Sequence, residues 1–232
     1  GVCSADQTRA KALADQYGTG TFETLDALLG AVDVIDICTP THLHHEMVLQ
    51  AAKAGKHIVC EKPLARTVAQ ARDMIDACKK ANVQLMVAHV LRFAPQYAQA
   101  KAVVDRGEIG KVAVQRFTRC SALPNWASDN WLMDVEKSGG MLLDLMIHDY
   151  DFARWVAGDV ESVFAKSLRG QTPGSKEDYG LVRLKHKNGA ISNVEGGWAY
   201  APGMFRTAFE IAGDAGLIEH PVDSSIPIGV YI

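Results

Sequence analysis

The sequence predicts an α/β protein in two parts. An incomplete parallel-sheet domain covers residues 1–108, and an α+β domain with a mostly antiparallel open sheet covers residues 109–232. Three observations lead there. Over residues 1–106 short apolar runs alternate strictly with amphipathic helical segments, the pattern of βαβ units with right-handed crossovers. After Gly110 the texture changes to strand-like runs around one helical segment. Lys187-Asn188-Gly189 stands between two of those runs, and Asn-Gly is the strongest short hairpin signal.

Taken in order, Val2-Cys3-Ser4 reads as a strand end, and Asp6 as the cap of a helix to about Tyr17. Ala10, Leu13, Ala14 and Tyr17 share its apolar face, and Gly18 and Gly20 break it. Thr24 to Leu29 is a short helix. Val32 to Cys38 is a strand stopped by Thr39-Pro40, and His42 to Ala54 is a helix stopped by Gly55. His57-Ile58-Val59-Cys60 is a buried strand. Thr67 caps a helix to Ala81 with Ala71, Met74, Ile75 and Cys78 as its core face. Gln84 to Ala88 is a strand, and Pro95 to Asp105 a helix ended by Gly107. In the second part Val112–Thr118 alternates like a strand, followed by a loop with Pro124, Trp126 and Trp131. One helix runs from about Gly140 to Val156. Strand-like runs follow at Ser162–Leu168, Tyr179–Lys185, Ala190–Glu195, Thr207–Ile211 and Leu217–Glu219. The chain starts at Gly1-Val2-Cys3 and stops at Gly229-Val230-Tyr231-Ile232 inside a strand-like run, so both ends are expected to be cut from a longer protein.

With 48% hydrophobic residues and 22% charged ones over 232 residues, the chain supports a packed core rather than disorder. A net charge of −3 without a basic block excludes nucleic acid and an anionic membrane as default partners, and no apolar run is long enough to span a bilayer. Cys3, Cys38, Cys60, Cys78 and Cys120 form no C-x-x-C pair and no zinc spacing, so no metal is expected. Cys38 and Cys60 read as small buried hydrophobes, and the scattered set suits a reducing, cytoplasmic compartment, with a periplasmic one left open.

Four stretches carry candidate chemistry. Glu61-Lys62-Pro63 closes a strand, and proline holds Lys62 extended where open α/β sheets bind ligands, although Glu-Lys-Pro is also ordinary turn vocabulary. Thr39-Pro40-Thr41-His42-Leu43-His44-His45 opens a helix, whose start attracts anions and polar ligand groups. Its three histidines have poor metal spacing and read as solvated helix-start residues. His89-Val90-Leu91-Arg92-Phe93 puts another cation after a strand, as a ligand contact or a plain surface Arg. In Gly139-Gly140 to Asp151, Asp144 and His148 lie four apart in an apolar run, on one face if helical. Such a pair is costly to bury without partners, and histidine suits proton transfer near neutrality; the alternative is a surface pair with no role.

Thr39-Pro40-Thr41-x-x-His44, Glu61-Lys62-Pro63, His89-x-x-Arg92-Phe93 and Gly139-Gly140-x-x-x-Asp144-x-x-x-His148-x-x-Asp151, in that order and spacing, resemble the Gfo/Idh/MocA oxidoreductases, which include glucose–fructose oxidoreductase and inositol dehydrogenase. The resemblance runs from about Val2 to Glu219. It implies an N-terminal Rossmann domain binding NAD(P), and a C-terminal domain whose open sheet supplies the substrate pocket and usually a dimer or tetramer interface. It further implies that Lys62 meets substrate and nicotinamide, that Glu61 faces the nicotinamide ribose, that Asp144 holds the substrate and that His148 is the acid/base. Cys38, Thr39, Pro40, His44 and Arg92 fall at implied cofactor positions, with Arg92 also toward substrate. The implied reaction is hydride transfer between the cofactor and a secondary alcohol of a sugar, cyclitol or related polyol.

Two departures stand out. The opening strand and G-x-G-x-x-G turn, which cradles the pyrophosphate, are missing from this sequence. Where an NAD-preferring member carries an acidic residue, this chain has Ser4. With Arg9 available to a 2′-phosphate the expectation leans to NADP over NAD, and a shift of register onto Asp6 restores NAD. Trp126, Trp131 and Gly196-Gly197-Trp198-Ala199-Tyr200 are pocket candidates, Trp126 as a sugar-stacking face, or else core or interface. Two rival functions keep the fold: an NAD-dependent glycoside hydrolase, and a non-catalytic dinucleotide- or sugar-binding module.

Overall fold

The computed structural model describes residues 1–169 and 178–220. The strand-like run at 229–232 lies outside them. The chain divides into two units, Gly1–Ala88 and His89–Ile232.

In the first unit the order is β1 (Val2–Cys3), α1 (Gln7–Tyr17), β2 (Thr21–Phe22), α2 (Leu25–Ala31), β3 (Val34–Ile37), α3 (Thr41–Lys53), β4 (His57–Glu61), α4 (Val68–Lys80) and β5 (Leu85–Ala88). The helix starts follow from the caps: Asp6 accepts from Arg9 N at 3.0 Å, Thr24 from Ala27 N and Thr67 from Gln70 N, both at 3.2 Å. Each such cap stabilises by about 1 kcal/mol. Gly18, at φ 62°, closes α1 in the left-handed conformation that glycine adopts without strain. All pairing is parallel, in two pieces, β1–β2 and β3–β4–β5; no ladder joins β1 to β3 among the described residues. Ile35 and Ile37 of β3 and Ile58 and Cys60 of β4 pack on Val48, Ala51 and Ala52 of α3 and on Met74 and Cys78 of α4.

Three burial expectations need correction. Cys38 is exposed, because the pleat that buries Ile35 and Ile37 turns the very next residue, just past the end of β3, to the other face with Val34 and Asp36. Leu13 and Tyr17 are exposed because α1 buries only the small Ala10 and Ala14. Ile75 is likewise exposed, while Met74 and Cys78 carry the core face of α4.

In the second unit come a 3-10 turn (Val90–Phe93), α5 (Pro95–Asp105), β6 (Val112–Ala122), a second 3-10 segment (Ser128–Met133), α6 (Val135–Ser138), α7 (Met141–Asp144), α8 (Ile147–Ala157), β7 (Val160–Leu168), β8 (Tyr179–His186), β9 (Ile191–Tyr200), β10 (Phe205–Gly213) and β11 (Leu217–His220). The six strands form one sheet in the order β11-β10-β6-β9-β8-β7, antiparallel throughout except for parallel β6–β9. Lys187-Asn188-Gly189 closes the β8–β9 hairpin as the sequence predicts: Gly189 N donates to His186 O at 3.0 Å with φ 92°, and Asn188 Oδ1 accepts from Ala190 N.

Helix α5 falls in this unit, whereas the sequence reading placed it before a boundary near residue 108. Its Tyr97 meets Phe152 of α8 edge-to-face and Phe209 of β10 at a tilt, with ring centroids 4.9 Å apart in both pairs, and that aromatic cluster draws the helix onto the second core. The single helix expected over 140–156 is also corrected: it is interrupted between Asp144 and Ile147. Leu145 and Met146 keep right-handed dihedrals, but Met146 N reaches back to Met141 O, so the hydrogen-bond ladder slips by one residue. No described helix is long and apolar enough to cross a membrane.

Candidate active site

In the first unit the candidate residues cluster at the carboxyl ends of β3 and β4, two neighbouring parallel strands. Thr39 and Pro40 follow β3. Glu61 ends β4, its Oε2 accepts from Lys62 N at 3.1 Å, and the Lys62–Pro63 peptide is cis. His44 ties the two loops together: Nε2 lies 2.8 Å from Thr39 O and Nδ1 3.0 Å from Pro63 O. It is 1% exposed, which overturns the expectation of a solvated histidine. One turn into α3, its ring points back toward the start of the helix, under the loops that carry Pro40 and Lys62. Both ring nitrogens are thus occupied by backbone carbonyls. His45 does face outward and meets Asp73 at 2.7 Å.

Two features of this cluster suit a ligand rich in acceptor oxygens. The cap position of α3 is Pro40, which offers no side-chain hydrogen bond to the first N–H groups. Thr41, 2% exposed, has an Oγ1 with no hydrogen-bond partner among the described residues. Farther along, Ser4 follows β1 and its Oγ accepts from Asp6 N. Asp6 is engaged as the α1 cap, and Arg9 is exposed on the first turn of α1.

In the second unit Asp144 ends α7 and is 8% exposed, and His148 lies in the first turn of α8 with Nδ1 shielded from solvent. Asp151, one turn on, receives a two-pronged ion pair from Arg92, Nε and Nη2 each at 2.8 Å, and lies 3.8 Å from His89 Nδ1. This hydrogen bonding pushes the Arg92 guanidinium up against the opposing effect of desolvation. Arg92 also lies over the ring of Trp155, 5.2 Å from its centroid. So Arg92 joins the α8 cluster, and two of its five donors are spent on Asp151. Trp126 is 78% exposed on its loop, whereas Trp198 is buried in the core.

Glycines set where this segment can lie. Gly139 and Gly140 make the turn into α7 with φ of 85° and 78°, and a Cβ on Gly139 would meet Leu143 Cδ2 at 2.4 Å. Gly196 of β9 and Gly180 of β8 leave room for Met146, between Asp144 and His148.

The sequence reading missed Arg119, Asp149 and Tyr97. Arg119 Nε and Nη2 pair with Asp149 Oδ2 and Oδ1 at 2.7 and 3.0 Å, and Nη2 also donates to Tyr97 Oη at 3.1 Å. All three are nearly fully buried. Burial works against the Arg119 charge, but the Asp149 carboxylate outweighs it and holds the guanidinium above its ordinary value. The available signal was the alternation Gln115-Phe117-Arg119, which puts two polar residues on the face of an obvious core aromatic.

Comparison with known proteins bears on both units. Residues 1–89 match the model of the oxidoreductase family with an NAD-binding Rossmann fold, and residues 97–219 match the GFO/IDH/MocA C-terminal domain. The chain is 32% identical to 1,5-anhydro-D-fructose reductase of Ensifer adhaerens, over 98% of this chain and 70% of that protein. It is 37% identical to myo-inositol 2-dehydrogenase of Thermotoga maritima, over 71% of this chain and 49% of that protein. The solved structure of levoglucosan dehydrogenase in complex with NADH and levoglucosan matches with a TM-score of 0.84 at 32% identity, covering 94% of this chain and 62% of that one. The chain spans about half to seven tenths of the length of the curated relatives it matches. With one family model on each unit and the motif residues in their expected order, the chain belongs to the Gfo/Idh/MocA family of oxidoreductases.

Proposed function

We propose that the full-length protein is an NAD(P)-dependent oxidoreductase that moves a hydride between a nicotinamide cofactor and a secondary alcohol of a sugar, cyclitol or related polyol. The observation that carries this reading is the retention of Lys62, Asp144 and His148 at their motif positions in a chain matched by both family models. The relatives' names give the substrate class: an anhydrofructose reductase, an inositol dehydrogenase and a levoglucosan dehydrogenase.

The first unit fits a dinucleotide. Thr39, Pro40, Glu61 and Lys62 stand at carboxyl ends of parallel strands, and the buried Thr41 hydroxyl asks for a polar partner. When bound, the nicotinamide accepts or returns the hydride. The chain's own residues do the rest. Asp144 accepts a hydrogen bond from a substrate hydroxyl and orients the sugar. His148 takes the hydroxyl proton as the C–H bond breaks, and returns it in the reverse direction. The Lys62 ammonium stabilises charge developing on that oxygen. Arg92, drawn onto Asp151, orders the turn of α8 after His148. Of the two cofactors we favour NAD(H): levoglucosan dehydrogenase was solved with NADH, whereas the argument for NADP rests on Ser4 and Arg9 alone.

The test is Lys62→Met and His148→Ala in the full-length protein, assayed by cofactor reduction with a panel of polyols. Loss of the cation is expected to cost about 10²–10³-fold in kcat, and loss of the base about 10²–10⁴-fold. Near wild-type turnover in both variants overturns the proposal.

A further inference from the structure

We propose that Arg119 and Asp149 are positioning residues that fix the rotation of α8, and with it the direction of the His148 ring. The functional weight of this proposal rests on the acid/base reading of His148; the structural part does not. Helix α8 and its cap residue Gly158 are tied to the inner face of the sheet at three successive levels by polar contacts from buried side chains. Arg119 of β6 grips the Asp149 carboxylate with two bonds. Gln115, two pleats back on β6, donates from Nε2 to Ala153 O at 3.3 Å. His186 of β8 sits 2.8 Å from Gly158 O through Nδ1, and its Nε2 is held at 2.8 Å by Ser192 Oγ. Gln115, His186 and Ser192 are 0% exposed, Asp149 1% and Arg119 4%.

Apolar packing alone would hold the helix against the sheet, since Phe152 and Ala153 are fully buried. Apolar contact is non-directional, however, and tolerates rotation and sliding. A guanidinium–carboxylate fork does not, because its two near-parallel bonds set an azimuth and a height together. Buried ion pairs are seldom more stable than apolar residues of similar volume. Three polar ties in succession are therefore better accounted for by register than by stability. The strongest tie is placed next to the residue whose direction matters: Asp149 follows His148, and neighbours on a helix point about 100° apart. With Asp149 locked inward, His148 is locked to one side of the helix.

The experiment compares Arg119→Met/Asp149→Leu with wild type in the full-length protein, with Asp149→Asn as a shape-conserving second variant. The first readout is independent of turnover: the His148 ring resonance in histidine-labelled protein, assigned with His148→Ala. One sharp signal is expected in wild type, and a broadened or split signal in the apolar double variant, whose melting temperature stays at or above that of wild type. An unchanged His148 signal in the folded double variant overturns the proposal. Should the double variant not melt cooperatively, Asp149→Asn is read by the same criterion. The second readout is kinetic: kcat is expected to fall about ten- to a hundredfold while KM for the cofactor stays within twofold. Wild-type kcat in the double variant, with His148→Ala inactive, also overturns it. Wild-type activity in His148→Ala instead removes the acid/base reading and leaves the ring signal to decide the positioning.

Discussion

Gly196→Ala is a small change with a calculable consequence. A Cβ built on Gly196 would lie 2.4 Å from Met146 Cγ, 2.8 Å from its Sδ and 3.4 Å from Arg119 O. Ordinary carbon contacts begin near 3.5 Å, so Met146 Cγ must retreat by about 1 Å. It cannot do so by swinging a side-chain tip, because Cγ is only two bonds from the backbone. Nor is there open space, because Met146 is 0% exposed. Overpacking of this kind costs about 1–3 kcal/mol. The more restricted unfolded chain returns about 0.4–1 kcal/mol. The net loss of about 1–2 kcal/mol corresponds to a fall in Tm of about 2–8 °C for a chain of this size. Because Met146 sits between Asp144 and His148, kcat should fall as well. Gly180→Ala is the control: its first clash, 2.4 Å, is with Leu142 Cδ2, the tip of a flexible side chain, so it should cost less. Thermal melts of both variants give the comparison. A double cycle with Met146→Ala should show a favourable coupling of about 0.5–3 kcal/mol, as the new methyl fills the space the methionine leaves. A Gly196→Ala melt within about 1 °C of wild type, with no coupling to Met146, would refute the reasoning.

Two further predictions follow from the first unit. His44→Phe removes the ring N–H from between Thr39 O and Pro63 O; an imidazole with one N–H serves one of the two, so the loss is about 1–3 kcal/mol for that carbonyl if water cannot reach it. A lower melting temperature and weaker NAD(H) binding by fluorescence titration are expected, and both values at wild-type level would contradict the clamp. Cys38 is exposed as a residue, but partial desolvation of its sulfur, with help from Asp36, pushes the thiol up to about 11. A raised thiol pKa means that the neutral form persists to higher pH. Near pH 8 the thiolate is therefore about 100-fold scarcer than in an ordinary thiol, and with its higher intrinsic reactivity alkylation should be about tenfold slower. The alkylation rate of Cys38, followed by mass spectrometry, should still be climbing at about pH 10, and a rate half-maximal at about pH 8.5 and level by about pH 10 would contradict the shift.

Much of the first unit was legible because local rules and tertiary context agree there. Asp6, Thr24 and Thr67 stand one residue before their helices, and Gly18 one residue after. The Asn188-Gly189 turn was equally plain. What escaped was set by partners distant in sequence. The pairing of β6 with β9 is parallel across about 80 residues, which no local pattern encodes. The break after Asp144 arises where Met146 is drawn between Gly180 and Gly196. His44 looked like one of three polar residues at a helix start. Its burial comes from two carbonyls, one of them 19 residues away. Arg119 drew no notice because a charged residue at a strand end usually marks an outer face, and the Asp149 carboxylate with the Tyr97 hydroxyl makes the inner face tolerable. The motif residues were readable because their types and spacing carry chemistry, whereas the residues that aim them were not.

The central claim is hydride transfer from a secondary alcohol carbon to a nicotinamide cofactor. Its most direct test is turnover of a polyol substrate deuterated at the reacting carbon, with the reduced cofactor recovered and weighed by mass spectrometry. The account predicts that the deuterium is found on the reduced cofactor, in step with ketone formed, and that His148→Ala abolishes its appearance. Conversion of the substrate with no deuterium on the cofactor, or release of an aglycone with no net reduced cofactor, would contradict it.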